Sequence, residues 1–234
     1  MRFLCLHGMG TNSKIFEVQT ARIRLSLGGE HEYIFIDGSV TAPAAPGVQD
    51  LASNTTEFFR YAADNDLRTA MEFYTNIEDF IFSEGPFDGL IGFSEGAGVG
   101  ASLLAYQEKT AAEGNETLFS FRCGIFFSAA PPVDIHAMHN GKLRRLSSEV
   151  DGVCIRVPTA HIWDPRDEVH PGFGEVLRGL CTQEGKEEFE HVSGHVVPGT
   201  QSDEEVKETV RAMRRTIERA RDTQLPVVPL KYTI

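Results

Sequence analysis

In Gly92-Phe93-Ser94-Glu95-Gly96 a serine stands with a glycine two positions away on each side. A serine hydroxyl is a weak nucleophile at neutral pH and attacks a carbonyl only when a base takes its proton. The chemistry this implies is acyl transfer by a serine, a histidine base and a carboxylate that fixes the histidine. The histidines after Ser94 are His136, His139, His161, His170, His191 and His195. His195 lies in Val192-Ser193-Gly194-His195-Val196-Val197-Pro198, a glycine-containing loop free enough to reach across to Ser94, and is the expected base. His161 and His191 fall within strand-like runs and read as structural, and His136 and His139 read as solvated surface of an insertion. For the acid, Asp164-Pro165-Arg166-Asp167-Glu168-Val169 follows the apolar run Thr159–Trp163. Asp167, farther into that turn, is the expected partner of His195. Asp164 is the alternative, in a position before proline where aspartate often starts a turn. The developing oxyanion needs backbone donors. The N–H of Glu95, just after the nucleophile, is one candidate. The N–H of Met9 in Leu6-His7-Gly8-Met9-Gly10 is the other, because two glycines let that backbone approach closely. His7 precedes the serine and is expected to orient this loop by hydrogen bonding.

These groups need elements to hold them. Arg2–Leu6, Tyr33–Ile36, Phe87–Ile91, Arg122–Phe127, Val157–Trp163 and Glu187–His191 read as strands. Most are continuous apolar runs, the pattern of a parallel sheet covered on both faces. Helical spacing separates them. Ile15, Phe16, Gln19, Ile23 and Leu27 mark one helix, capped by Asn12 or Ser13 and ended by Gly28-Gly29; Ala70, Phe73, Tyr74, Ile77, Phe80 and Ile81 mark another. Ala97–Gln107 forms a small-residue helix after the serine. Ser202-Asp203-Glu204-Glu205 opens a last helix with a capping box, and its stripe of Val206, Val210, Met213, Ile217 and Ala220 reads as packing without chemistry. A serine on a sharp strand-to-helix turn, followed in chain order by Asp and then His, is the nucleophile elbow of an α/β-hydrolase. The expected fold is therefore α/β, a mostly parallel sheet of about six strands with helices on both faces. One domain is expected over residues 1–234, with a lid-like insertion at about 133–153.

Composition narrows the function further. A formal net charge of −12 argues against nucleic acid or an anionic membrane surface as the main partner. The phosphate-loop and dinucleotide fingerprints are absent, as is the H-E-x-x-H spacing of a zinc site, so neither a cofactor nor a metal is expected. Met1–Leu6 is too short an apolar run for a signal peptide, Leu230–Ile234 matches no targeting signal, and no run approaches a membrane span. Cys5, Cys123, Cys154 and Cys181 form no C-x-x-C pair. A reduced, cytoplasmic setting is the expectation.

The segments Phe3–Ser13, Phe35-Ile36-Asp37-Gly38, Gly92–Ala97, Phe126–Pro132 and Ser193–Pro198 resemble the fungal serine hydrolase (FSH) family over nearly the whole chain. The likeness is greatest to its esterases and thioesterases that accompany polyketide synthases. The resemblance implies a cofactor-free Ser–Asp–His hydrolase of acyl thioesters or esters, with the triad at Ser94, Asp167 and His195. Its substrate would be an acyl thioester or ester, including a polyketide on a carrier protein. A carboxylesterase on small oxygen esters, or acyl transfer or carbon–carbon bond formation from an acyl-enzyme, would use the same machinery. The chain departs from many relatives by Glu95 in place of glutamine and Asp164 in place of glycine. The carboxylate at 95 would disfavour anionic substrates. The loop Ser39–Asp50 and the insertion Val133–Val153 are expected to wall the acyl pocket. Lys142, Arg144 and Arg145 form a small basic cluster that would suit an acidic carrier protein. Phe16, Phe93, Trp163 and Phe173 are aromatic candidates for pocket or core.

Overall fold

The computed structural model describes residues 1–48, 56–199 and 202–222. Among these, six strands form one all-parallel sheet: β1 (Arg2–Leu6), β2 (Glu32–Ile36), β5 (Gly89–Phe93), β6 (Cys123–Phe127), β7 (Thr159–Trp163) and β8 (Lys186–Glu190). Their spatial order is β2-β1-β5-β6-β7-β8. A separate antiparallel pair, β3 (Val40–Thr41) and β4 (Phe59–Arg60), lies outside that sheet.

The helices cover both faces. On β1, Phe3 and Cys5 enter the apolar cluster of α1 (Ser13–Leu27) and α7 (Asp203–Asp222), whereas Leu4 and Leu6 enter that of α2 (Leu67–Glu84) and α3 (Glu95–Ala112). Strands buried on two faces must be apolar at every position, and β5 and β6 are buried throughout. The edge strand β8 is charged instead, with Glu187 paired to Arg215 and Arg219 of α7 and Glu188 to Arg178 of α6 (Phe173–Leu180). Among the described residues no helix is long and apolar enough to cross a membrane.

Most boundaries lie within two or three residues of the sequence reading. The elbow strand begins two residues later than expected, because its register pairs Phe3 with Gly89 and Leu6 with Gly92. Phe87 is buried ahead of the strand, packed against Phe80. Asn12 is the α1 cap, its side chain accepting the Ile15 N–H. Ser202 Oγ caps α7 by accepting the Glu205 N–H, but the Glu205 carboxylate does not complete the capping box. It accepts the Ser193 hydroxyl at 2.8 and 3.0 Å, so α7 also restrains the His195 loop.

The insertion holds two short helices, α4 (Ile135–His139) and α5 (Ser148–Asp151), braced by a Val133–Arg145 bridge. His136 is not simply solvated: its ring is half-buried and lies 4.6 Å from that of Tyr106. Arg144 is not a free cation either. It pairs with both Asp134 and Asp151 and ties the insertion together, leaving only Lys142 and Arg145 of the basic cluster exposed.

The elbow depends on two glycines. A Cβ at Gly92 would lie 2.5 Å from Ala97 Cα, and one at Gly96 would lie 2.3 Å from the Leu6 carbonyl oxygen. Both contacts are with backbone, which cannot move aside without separating β5, α3 and β1. Gly96→Ala is expected to destabilise the fold by about 3 kcal/mol or more, read as a lowered urea midpoint.

Candidate active site

Between β5 and α3 the chain turns so sharply that Ser94 takes φ 51, ψ −116, a left-handed backbone that a non-glycine residue rarely adopts. The turn is held by its neighbours: Ser94 N–H donates to the Phe127 carbonyl, and the Ser94 carbonyl accepts from the N–H groups of Gly98 and Ala130. The serine thus sits at the carboxyl end of the sheet, where β5 and β6 deliver it.

The loop after β8 brings His195 to it. His195 Nε2 lies 2.9 Å from Ser94 Oγ, and its Nδ1 lies 2.5 Å from Asp167 Oδ2. Asp167 is ionised, so Nδ1 must carry the proton and Nε2 is left to accept the serine's. The other Asp167 oxygen accepts the N–H groups of Val169 and His170. Burial pushes the Asp167 carboxyl up, but the bonds from His195 and these two amides outweigh it and hold the group below the usual carboxylate range.

Asp164, the alternative acid, faces a different part of the same loop. Its Oδ2 accepts the Gly194 N–H at 2.8 Å and its Oδ1 the Arg166 N–H. Burial raises its carboxyl, and these amides with Arg166 and His191 more than reverse the effect. The His195 loop is therefore pinned at Gly194 by Asp164 and at Ser193 by Glu205. His191 lies just past β8 rather than inside it; its N–H continues the ladder to Trp163, and its Nδ1 accepts from Ser193 N–H.

Rings pack around the base. Phe93 lies 5.2 Å from the His195 ring, and His170 meets it edge-on at 4.6 Å while stacking on Phe173. His170 and Glu205 escape a reading of sequence spacing, since each reaches the site only through the folded loops. Phe16 and Trp163 belong to the core. His161 is also a core residue, bonded to Thr159 Oγ1, and burial lowers its pKa to about 3.

The β1–α1 loop approaches from the other side. A Cβ on Gly8 would come within 3.5 Å of Ser94 Cβ. His7 fixes this loop: its Nε2 accepts the Gly38 N–H, so its Nδ1 carries the proton and lies 2.8 Å from the Gly8 carbonyl. Burial lowers its pKa, which keeps the ring neutral in that role. Gly10 N–H donates to the Phe59 carbonyl and Thr11 N–H to the Gly8 carbonyl, both directly after Met9 in the chain. Glu95 opens α3, so its N–H has no partner within the helix and stands at the positive end of the dipole.

A cavity of about 210 Å³ lies beside the elbow, lined by the Arg60–Asn65 segment, the first turns of α3 and the insertion. The expected wall Ser39–Asp50 does not contribute through its described residues 39–48. Gln49 and Asp50 lie outside the described residues. That loop braces Gly10 instead, through Ala45 N–H to the Gly10 carbonyl. Glu95 lines the cavity, and burial pushes its carboxyl up from 4.5 to about 7 against the opposing pull of the Tyr61 N–H and Arg60. A raised carboxyl binds its proton more tightly folded than unfolded. The stability it contributes is full below pH 4.5 and is lost as pH rises to about 7, at a cost of about 3 kcal/mol. Glu95→Gln should therefore gain melting temperature relative to wild type between pH 5 and pH 8.

The family model described as Serine hydrolase (FSH1) matches residues 1–207. Esterase FPY3 of Fusarium mangiferae is 34% identical over 223 residues, covering 94% of this chain and 98% of that protein. Two solved structures share the fold at low identity. A Bacillus cereus carboxylesterase has a TM-score of 0.52 at 17% identity, over 91% of this chain and 87% of its own. Zea mays acyl-protein thioesterase 2 has a TM-score of 0.53 at 15% identity, over 92% of this chain and 93% of its own. The fold is that of the α/β-hydrolase esterases. The family match spans most of the sequence and the fungal esterase aligns nearly end to end, so the chain belongs to the serine hydrolase (FSH1) family and is a hydrolase of the esterase kind.

Proposed function

We propose that this enzyme hydrolyses acyl thioesters, and with them esters, through Ser94, His195 and Asp167, and that it releases or edits a polyketide chain in fungal secondary metabolism. The observation that supports this reading is the unbroken hydrogen-bonded line from Asp167 through His195 to a serine on a strained elbow. Ser94 Oγ attacks the acyl carbonyl while His195 Nε2 takes its proton. The oxyanion is held by the N–H groups of Met9 and Glu95. His195 then gives its proton to the departing thiolate or alkoxide, leaving an acyl-enzyme. A water attacks that ester as His195 takes its proton, and Ser94 leaves with the proton returned. The cycle needs no cofactor or metal. A single domain working in the cytoplasm is part of the same reading; all four cysteines are unpaired thiols, which suits a reducing compartment.

A carboxylesterase acting on small oxygen esters is the second reading, favoured by a cavity of only about 210 Å³. Hydrolysis of an acyl-N-acetylcysteamine thioester beside its matched oxygen ester separates the two. A Ser94-dependent preference for the thioester supports release from a carrier, and a preference for the oxygen ester supports the carboxylesterase.

A further inference from the structure

We infer that the cavity beside the elbow takes a short acyl group that carries a neutral hydroxyl, and that Glu95 selects it by accepting that hydroxyl's hydrogen bond. This rests on Ser94 being the nucleophile. Two lining residues adjoin Ser94: Glu95 follows it in the chain, and Ala130 N–H donates to its carbonyl. Its volume is below the usual range for drug-sized ligands, so it suits one ring or a few carbons. Phe73, Val99, Ala130 and Pro131 make much of the wall apolar.

The polar groups that remain decide the chemistry. Arg60 is held bidentately by Asp64, at 3.0 and 2.6 Å, and Arg144 is held by Asp134 and Asp151. Ser102 Oγ donates to the Gly98 carbonyl and accepts the Val133 N–H. Arg144 and Ser102 are thereby satisfied inside the protein, whereas Arg60 Nε and the hydroxyl of Tyr61, another lining residue, are buried without a hydrogen-bond partner. Glu95 also has capacity to spare: Oε2 accepts the Tyr61 N–H at 3.2 Å, but Oε1 has only Arg60 Nε, at 3.6 Å, beyond hydrogen-bond length. The spare capacity is an acceptor beside two donors, which a hydroxyl, able both to donate and to accept, answers at once. A carboxylate ligand has no donor for Oε1 and meets a like charge once Glu95 ionises above about pH 7. An ammonium ligand would meet Arg60 lying against the same carboxyl. A hydroxyl suffers neither penalty, and leaving a buried acceptor unpaired penalises the analogue that lacks it.

The test compares benzoyl-N-acetylcysteamine with its 2-, 3- and 4-hydroxy analogues on wild type, E95Q and E95L. The readout is the ratio of kcat/KM for hydroxylated over plain substrate, which cancels any effect on machinery common to both. Wild type should favour one hydroxylated isomer by about tenfold or more. E95Q, whose amide oxygen still accepts, should keep part of the ratio, and E95L should bring it to about one. Equal ratios in wild type and E95L, or a wild-type preference for the plain substrate, would overturn the inference. If no substrate shows Ser94-dependent turnover, the hydrolase reading fails instead. Calorimetric binding of the same compounds to S94A and S94A/E95L still decides the inference: tighter binding of a hydroxylated isomer must vanish with the E95L change.

Discussion

Replacing Ser94 with alanine should lower kcat for ester or thioester hydrolysis by about 10⁶-fold, while leaving a folded protein. The hydroxyl 2.9 Å from His195 Nε2 is the atom to which the acyl group would bond, and alanine offers nothing in its place. What remains is water attack assisted by the backbone donors, which in such sites keeps about 10³–10⁴ over the uncatalysed rate. His195→Ala should lose a similar factor, and the double variant little more, because the two groups act as one unit. The elbow geometry is a backbone property fixed by Phe127, Gly98 and Ala130, so the alanine variant should melt near wild type. A calorimetric scan beside the kinetics separates lost chemistry from lost fold.

The two aspartates make the second large prediction. Asp167→Asn should cost about 10⁴ in kcat, as in other triads where an amide replaces the carboxylate. An asparagine can present its NH₂ to His195, favouring the tautomer with the proton on Nε2, and then no base faces Ser94. Raising the pH should not restore activity, because the defect is one of tautomer rather than of charge. Asp164→Asn should cost only about tenfold. Its amide oxygen can still accept the Gly194 N–H, so the loop is loosened rather than disarmed. Steady-state kcat for the two variants decides the assignment, and a larger loss at Asp164 than at Asp167 would reverse the roles.

Much of the site is legible in the amino-acid sequence alone. The elbow shows there because the strand, the turn and the helix it joins are local, and because glycines at 92 and 96 answer a local steric demand. The order of serine, aspartate and histidine shows because each falls in a loop after a recognisable strand. Asp164 marks where this kind of reading runs out. Its role depends on which of two nearby side chains faces a loop distant in sequence, and that follows from the turn conformation alone. The Glu205–Ser193 bond is hidden for the same reason: the helix sequence displays a capping box, but the carboxylate is drawn to a hydroxyl that only the folded loop supplies. The insertion is a wall of the cavity as expected by sequence, but the Arg60–Asn65 wall goes unread because it is a short irregular segment without periodicity, whereas the loop before it looks suitable by composition. Arg144 reads as a surface cation because Asp134 and Asp151 reach it only through the folded insertion.

The most direct test of the central claim is to treat the protein with a serine-directed fluorophosphonate and to locate the adduct by peptide mass mapping. The account predicts one phosphonyl group per chain, on the peptide containing Ser94, formed at least about 10³ times more slowly in His195→Ala. An adduct on a different residue, or labelling at Ser94 that proceeds equally fast without His195, would contradict it.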